Sequence, residues 1–234
     1  MNIELITVET SFGLLSGDIY HASKEKVSNV LCVHGGGLRG RSGFISIRKA
    51  LATQGVTTYA FDFVGHGDTK GDKAFSSLEK KVEQVLEIIK RVAFKYPITV
   101  IASSMGGYIA LKAGESCEID NLILIAPAVY TKDAFSIPFG DDFSSIIRVP
   151  FSWEKTDAFE VVSFFTGKLL LLEAEKDQVI PKDVVRRIYD SAHVSRRKKY
   201  CTFKGATHPL TDWLSCHPED FKVAIAEIVN SFDV

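Results

Sequence analysis

The sequence predicts an α/β domain built on a mostly parallel sheet with helices on both faces. Three observations predict it. Short apolar runs alternate with stretches of helical periodicity along the chain, which calls for crossover connections. The runs are continuous rather than alternating, as strands covered on both faces should be. Apolar residues make up 46% of 234 positions, enough to cover both faces of one large sheet.

Ile3–Val8 and Leu14–Tyr20 flank the turn Thr10-Ser11-Phe12-Gly13 and read as an antiparallel hairpin. The runs Val30–Val33, Val56–Phe61, Ile98–Ala102, Leu122–Ala126, Lys168–Glu173 and Lys199–Phe203 supply the remaining strands. A helix is expected from Ser76-Ser77-Leu78-Glu79, where Ser76 and Glu79 form a capping box. Leu78, Val82, Val85, Leu86 and Ile89 mark its inner face. Pro181 opens another helix, with Val184, Val185 and Ile188 inward, and Pro218 opens the last. Between Pro127 and Gly167 no strand–helix unit is evident, and the segment is rich in Phe, Tyr and Trp. A connection this long is an insertion with its own helices. The expectation is one domain, 1–234, with a cap at about 128–166.

Composition excludes several function classes. Net charge is −1 with mixed signs, so no field attracts nucleic acid or an anionic membrane. The basic run Arg196-Arg197-Lys198-Lys199 reads as a solvated strand end. The four cysteines form no CxxC pair, and no Cys/His cluster has zinc spacing, so no metal is expected. No run approaches a bilayer span, and the N-terminus lacks a basic and apolar leader. A cytoplasmic protein, monomer or homodimer, is the expectation.

The chemistry sits in the loops after the strands. Ala102-Ser103-Ser104-Met105-Gly106-Gly107 follows one strand and opens a helix. A serine between small residues on such a turn projects its hydroxyl from the sheet's carboxyl end. Ser103 is a poorer candidate, because Met105 is too bulky two residues downstream. His34-Gly35-Gly36-Gly37 follows another strand and can present backbone amides toward Ser104. The amides of Gly36 and Met105 are the candidate donors to an oxyanion. Of six histidines, His208 in Gly205-Ala206-Thr207-His208-Pro209 follows the last strand and emerges at the same end. His193, His217 and His21 read as solvated surface, and His34 and His66 as braces of glycine-rich loops. Asp177 is the candidate acid that orients His208, with Glu173 and Glu175 as rivals. Arg39 and Arg41, beyond the glycine turn, read as solvated loop charges or as contacts to an anionic substrate group.

The order Ser104, Asp177, His208 is that of α/β-hydrolases, and the chain resembles that superfamily over its whole length. Phe61-Asp62-Phe63-Val64-Gly65-His66-Gly67-Asp68 is similar to the loop after the fourth strand of small feruloyl- or cinnamoyl-type esterases and monoacylglycerol lipases. Ala102 stands where that family more often has glycine. The resemblance implies an eight-stranded sheet, a cap after the sixth strand and no cofactor. It also implies a serine hydrolase acting on a small-molecule ester or thioester. An amidase or peptidase on the same residues, or a non-catalytic binding protein, are the alternatives.

Overall fold

The computed structural model describes residues 2–37, 39–94 and 96–232. The chain opens with an antiparallel hairpin of β1 (Asn2–Thr10) and β2 (Gly13–His21). Six strands follow: β3 (Val27–Val33), β4 (Val56–Phe61), β5 (Ile98–Ser103), β6 (Ile119–Ile125), β7 (Lys168–Ala174) and β8 (Arg197–Phe203). They form one eight-stranded sheet in the order β1-β2-β4-β3-β5-β6-β7-β8. β2 runs antiparallel to β1 and β4, and the pairs from β4 to β8 are parallel. The strand order reverses at β3, so the loops after β3 and β5 leave toward opposite faces. A crevice opens between them at the carboxyl end, where open α/β sheets bind their ligands.

Successive strand residues feed two cores. Leu31, Val33, Val100, Leu122, Leu124 and Leu171 face α2 (Leu78–Val92), α3 (Met105–Ala113) and α6 (Lys182–Ser191). Val30, Cys32, Ile101, Ile123, Leu170 and Leu172 face α1 (Ile45–Thr53), α7 (Leu210–Cys216) and α8 (Pro218–Ser231). Each fully buried aliphatic side chain contributes about 1.5–3 kcal/mol, which is why uninterrupted apolar runs became the sheet's interior.

The start of α2 departs from the expected capping box. Ser77, not Ser76, is the N-cap, and its hydroxyl accepts from the Lys80 amide at 3.2 Å. The Ser76 hydroxyl is buried and without a hydrogen bond among the described residues, and the Glu79 amide donates to the Phe135 carbonyl. The short helices α1 and α7 were not singled out by sequence pattern.

Residues 127–167 contain no strand. They hold α4 (Asp141–Ile147), α5 (Ala158–Ser163) and helical turns at Lys132–Ala134 and Ser152–Lys155. Aromatic contacts seat the segment on the body: the Tyr108 ring lies 5.5 Å from Tyr130 and 6.2 Å from Phe135. The Tyr108 hydroxyl donates to Asp157 at 2.8 Å, and the Phe139 amide donates to the Ser76 carbonyl at 2.9 Å.

Candidate active site

Ser104 stands on the turn from β5 into α3 with φ 51° and ψ −123°. A non-glycine residue there stores about 1–3 kcal/mol of strain, which the surrounding packing must hold. The packing explains the small neighbours. A Cβ at Gly106 would collide with the Val33 carbonyl oxygen, and one at Gly107 would come within 2.7 Å of Pro127 Cβ. Ala102 is fully buried in the core, so its one methyl group fits where the family's usual glycine would stand.

The turn after β3 presses against this serine. A Cβ at Gly35 would lie 3.0 Å from Ser104 Cβ, and one at Gly36 would lie 3.5 Å from Met105 Sδ. The two candidate amide donors therefore belong to adjoining turns. Met105 begins α3, so its N–H has no acceptor within the helix.

His208 follows β8, and Asp177 follows β7. The two loops are zipped together, with the Lys176 amide donating to the Ala206 carbonyl at 2.8 Å. His208 Nε2 lies 3.1 Å from Ser104 Oγ, and His208 Nδ1 lies 2.8 Å from Asp177 Oδ2. The other carboxylate oxygen, Oδ1, accepts from the amides of Val179 at 2.8 Å and Ile180 at 2.9 Å. Burial works against the Asp177 charge, but the hydrogen bonds from His208, Ile180 and Val179 outweigh it and hold the pKa below its usual value. The rival acids are engaged elsewhere: Glu173 accepts from Thr202 Oγ1 at 2.8 Å and Glu175 from the Gly205 amide at 2.7 Å.

The other histidines divide as follows. His193 is exposed, and His21 pairs with Glu4 at 2.8 Å. His217 is not simply solvated, since its ring stacks on Trp213 at 3.6 Å. His34 and His66 are buried with ring centroids 5.2 Å apart. Burial pushes the His34 pKa down to about 3. Arg41 is neither solvated nor available to a ligand. It is enclosed by Asp62, by Asp18 at 2.9 Å and by Asp68 at 2.8 Å. Arg39 pairs with Asp212 at 2.6 Å.

A cleft of about 240 Å³ opens beside Ser104 and His208, lined also by Gly36, Phe44, Pro209 and Asp212. A second cleft, about 410 Å³, lies between residues 128–153 and 179–184, with Val129, Ile147, Trp153 and Ile180 among its walls. It reaches Ala128, whose amide donates to the Ser104 carbonyl at 3.0 Å, and Ile180, whose amide holds Asp177. Among the described residues no group of three or more His, Cys, Asp or Glu side chains is placed to hold a metal ion.

Residues 24–155, more than half of the chain, match the Hydrolase_4 family, described as serine aminopeptidase, S33. The chain belongs to this family of α/β-hydrolases. A lysophosphatidylserine lipase ABHD12 from Xenopus tropicalis is 28% identical over 182 residues, covering 71% of this chain and 47% of that protein. The chain thus spans about half the length of the curated relatives it matches. Among solved structures, the Pyrococcus furiosus esterase Pf2001 superposes with a TM-score of 0.73 at 21% identity, covering 99% of this chain and 93% of that one. A Paleococcus ferrophilus monoacylglycerol lipase gives 0.71 at 19% identity, covering 93% and 99%. These two likenesses share the fold. Among the described residues no helix is long and apolar enough to cross a membrane.

Proposed function

We propose that the chain is a serine hydrolase that cleaves a carboxylic ester or thioester through Ser104, His208 and Asp177. The observation that carries this reading is the unbroken chain from Asp177 Oδ2 to His208 Nδ1 at 2.8 Å and from His208 Nε2 to Ser104 Oγ at 3.1 Å. His208 takes the Ser104 proton as Oγ attacks the carbonyl carbon, and Asp177 stabilises the imidazolium that forms. The amides of Gly36 and Met105 receive the oxyanion. His208 then protonates the departing oxygen or sulfur, leaving an acyl group on Ser104. Water, deprotonated by His208, releases the acid and restores the serine.

The same base serves both half-reactions, so the leaving group departs on the His208 side, into the cleft that His208 and Pro209 line. The acyl group takes the apolar cleft beyond Ala128, for which residues 128–166 act as a cap. The names of the relatives, a lysophosphatidylserine lipase and a monoacylglycerol lipase, support an amphiphilic ester. All four cysteines are free thiols, which supports a reducing compartment such as the cytoplasm.

The family's description as serine aminopeptidase favours a second reading, cleavage of an amide on the same residues. Matched p-nitrophenyl esters and p-nitroanilides separate the two. The ester reading expects hydrolysis of the esters, labelling of the wild type by a fluorophosphonate probe, and loss of both in Ser104→Ala. A correctly folded wild type that takes no label would instead identify a binding protein.

A further inference from the structure

The cleft beside Ser104 and His208 has two unlike walls. One is the start of α7 with Pro209 and Asp212, and the other is the backbone of the turn after β3, where Gly35, Gly36, Gly37, Gly40 and Gly43 all line the space. Packing dictates two of these glycines. A Cβ at Gly35 would lie 3.0 Å from Ser104 Cβ, and one at Gly40 would collide with the Asp62 carboxylate. Nothing in the fold dictates the other three. A Cβ at Gly36 would meet only the Met105 side chain, from 3.5 Å, one at Gly43 only Arg39 Nη2 at 3.9 Å, and one at Gly37 nothing within 4 Å. None of the three has a left-handed φ. Glycine where a larger residue would fit loosens the unfolded chain and costs stability. The bare stretch has a use only as room for another molecule against the backbone.

The charges of the cleft sit beside that stretch. Besides His208, the described lining residues that carry charge at neutral pH are Arg39 and Asp212; His34 stays neutral, its pKa pushed down to about 3 by burial. Arg39 and Asp212 belong to opposite walls, and Nη1 meets Oδ1 at 2.6 Å. Their side chains are 57% and 42% exposed, and an ion pair so open to water contributes little, so it parts at small cost. Nη1 is turned to Asp212, whereas Nη2 stands over Gly43, where no side chain covers it. A guanidinium has donors enough for a second oxyanion on that edge.

We propose that this cleft selects a leaving group bearing an anionic substituent, a carboxylate or a phosphate, and that Arg39 is the residue that reads it. The inference rests on the serine-hydrolase reading, which puts the departing oxygen beside His208 at the inner end of the cleft. From there the body of the alcohol lies on the backbone of Gly36, Gly37 and Gly43, and its acidic group reaches Arg39 Nη2. Asp212 is the competitor. It holds the guanidinium in the empty cleft and opposes the same anion, so it tempers the preference that Arg39 creates. A neutral alcohol finds the room but gains nothing from the fork.

Two butyrates of one shape test this, 4-butyryloxybenzoate and 4-butyryloxybenzamide, which differ in the charge on the leaving phenol. The readout is the ratio of their kcat/KM values, charged over neutral, which cancels any loss common to both. Arg39→Gln should lower that ratio about tenfold, the loss of a charge-assisted contact. Arg39→Lys, which keeps the charge but not the fork, should lose most of the same factor. Asp212→Asn should raise the ratio about threefold, since it removes a like charge from the anion's surroundings. A ratio unmoved in Arg39→Gln overturns the proposal. So does a ratio fully kept in Arg39→Lys, because the charge would then act from a distance and not by contact. Titration of 4-hydroxybenzoate, the released phenol, reads the same subsite without turnover through the NMR shifts of the Gly37 and Gly43 amides. Its Kd should rise about tenfold in Arg39→Gln, and equal Kd values overturn the proposal. A wild type that binds this phenol through Arg39 but cleaves neither ester sinks the hydrolase reading alone.

Discussion

The cluster around Arg41 and Arg48 and the chain from Asp177 to Ser104 draw on similar residue types but end differently. In the first, every charge closes on another. Arg48 is fully buried and bonds to the Asp18 carboxylate, to Thr58 Oγ1 at 3.0 Å and to the Asp18 carbonyl at 2.9 Å. Arg41 is ringed by three aspartates. In the second, hydrogen bonds run in one direction and stop at an oxygen that lines an open cleft. A closed network stabilises the fold, whereas an open-ended chain leaves its last atom free to react.

Substitution at each network should break different properties. The largest effect belongs to Ser104→Ala, which should lower kcat/KM by about 10⁵-fold or more. It should leave unfolding free energy nearly unchanged, since alanine keeps the same backbone strain and loses only the hydroxyl's contact to His208; ester hydrolysis and urea melts read the two quantities. Asp177→Asn keeps the shape but presents an amide where His208 Nδ1–H needs an acceptor, and should cost about 10⁴-fold in kcat. A loss of under tenfold would point to another acid. Arg48→Met should behave in the opposite way. It removes the buried donor to one Asp18 carboxylate oxygen, to the Asp18 carbonyl and to Thr58, while Arg41 still pairs with the other carboxylate oxygen, and should lower stability by about 1–3 kcal/mol, while activity per folded molecule persists.

The smallest effect per step of the measured variable, one pH unit, concerns the buried lysine. Burial, and secondarily Lys73, push the Lys81 pKa down to about 7 from its ordinary 10.5. Between those values the unfolded chain binds more protons than the folded one, so stability rises with pH, by up to about 1.4 kcal/mol per unit. Lys81→Met should flatten that slope in urea melts between neutral and alkaline pH. An equal slope in wild type and variant would place the cation in water.

The parts of the molecule legible in the sequence are those whose physics is local. Strands such as Leu122–Ala126 announce themselves by continuous apolarity, and β6 covers those residues but Ala126, starting three residues earlier at Ile119. The serine turn is visible because close backbones forbid side chains at Gly106 and Gly107. The three residues singled out by loop position and order are the three that the hydrogen bonds join. What sequence reading missed depends on distant partners. Arg41 looked solvated because its aspartates come from β2 and from the loop after β4. Lys81 was not singled out, although it stands three residues after Leu78 on the inner stripe. Its neighbours, two aromatic rings and a histidine, come from other segments. The cap of α2 was misplaced by one residue because Ser76 and Glu79 match the capping-box spacing, whereas in the structure Ser77 caps the Lys80 amide and the Glu79 amide goes to the Phe135 carbonyl.

Ser104 hangs from β5, which is paired on both sides, whereas His208 hangs from β8, at the margin of the sheet. Marginal strands fray at lower free energy than interior ones. Warming should therefore silence the proposed activity while most of the architecture survives, by detaching His208 from an intact Ser104 turn. Inactivation and melting would then separate into two curves, and reinforcing the β7–β8 seam would draw them together.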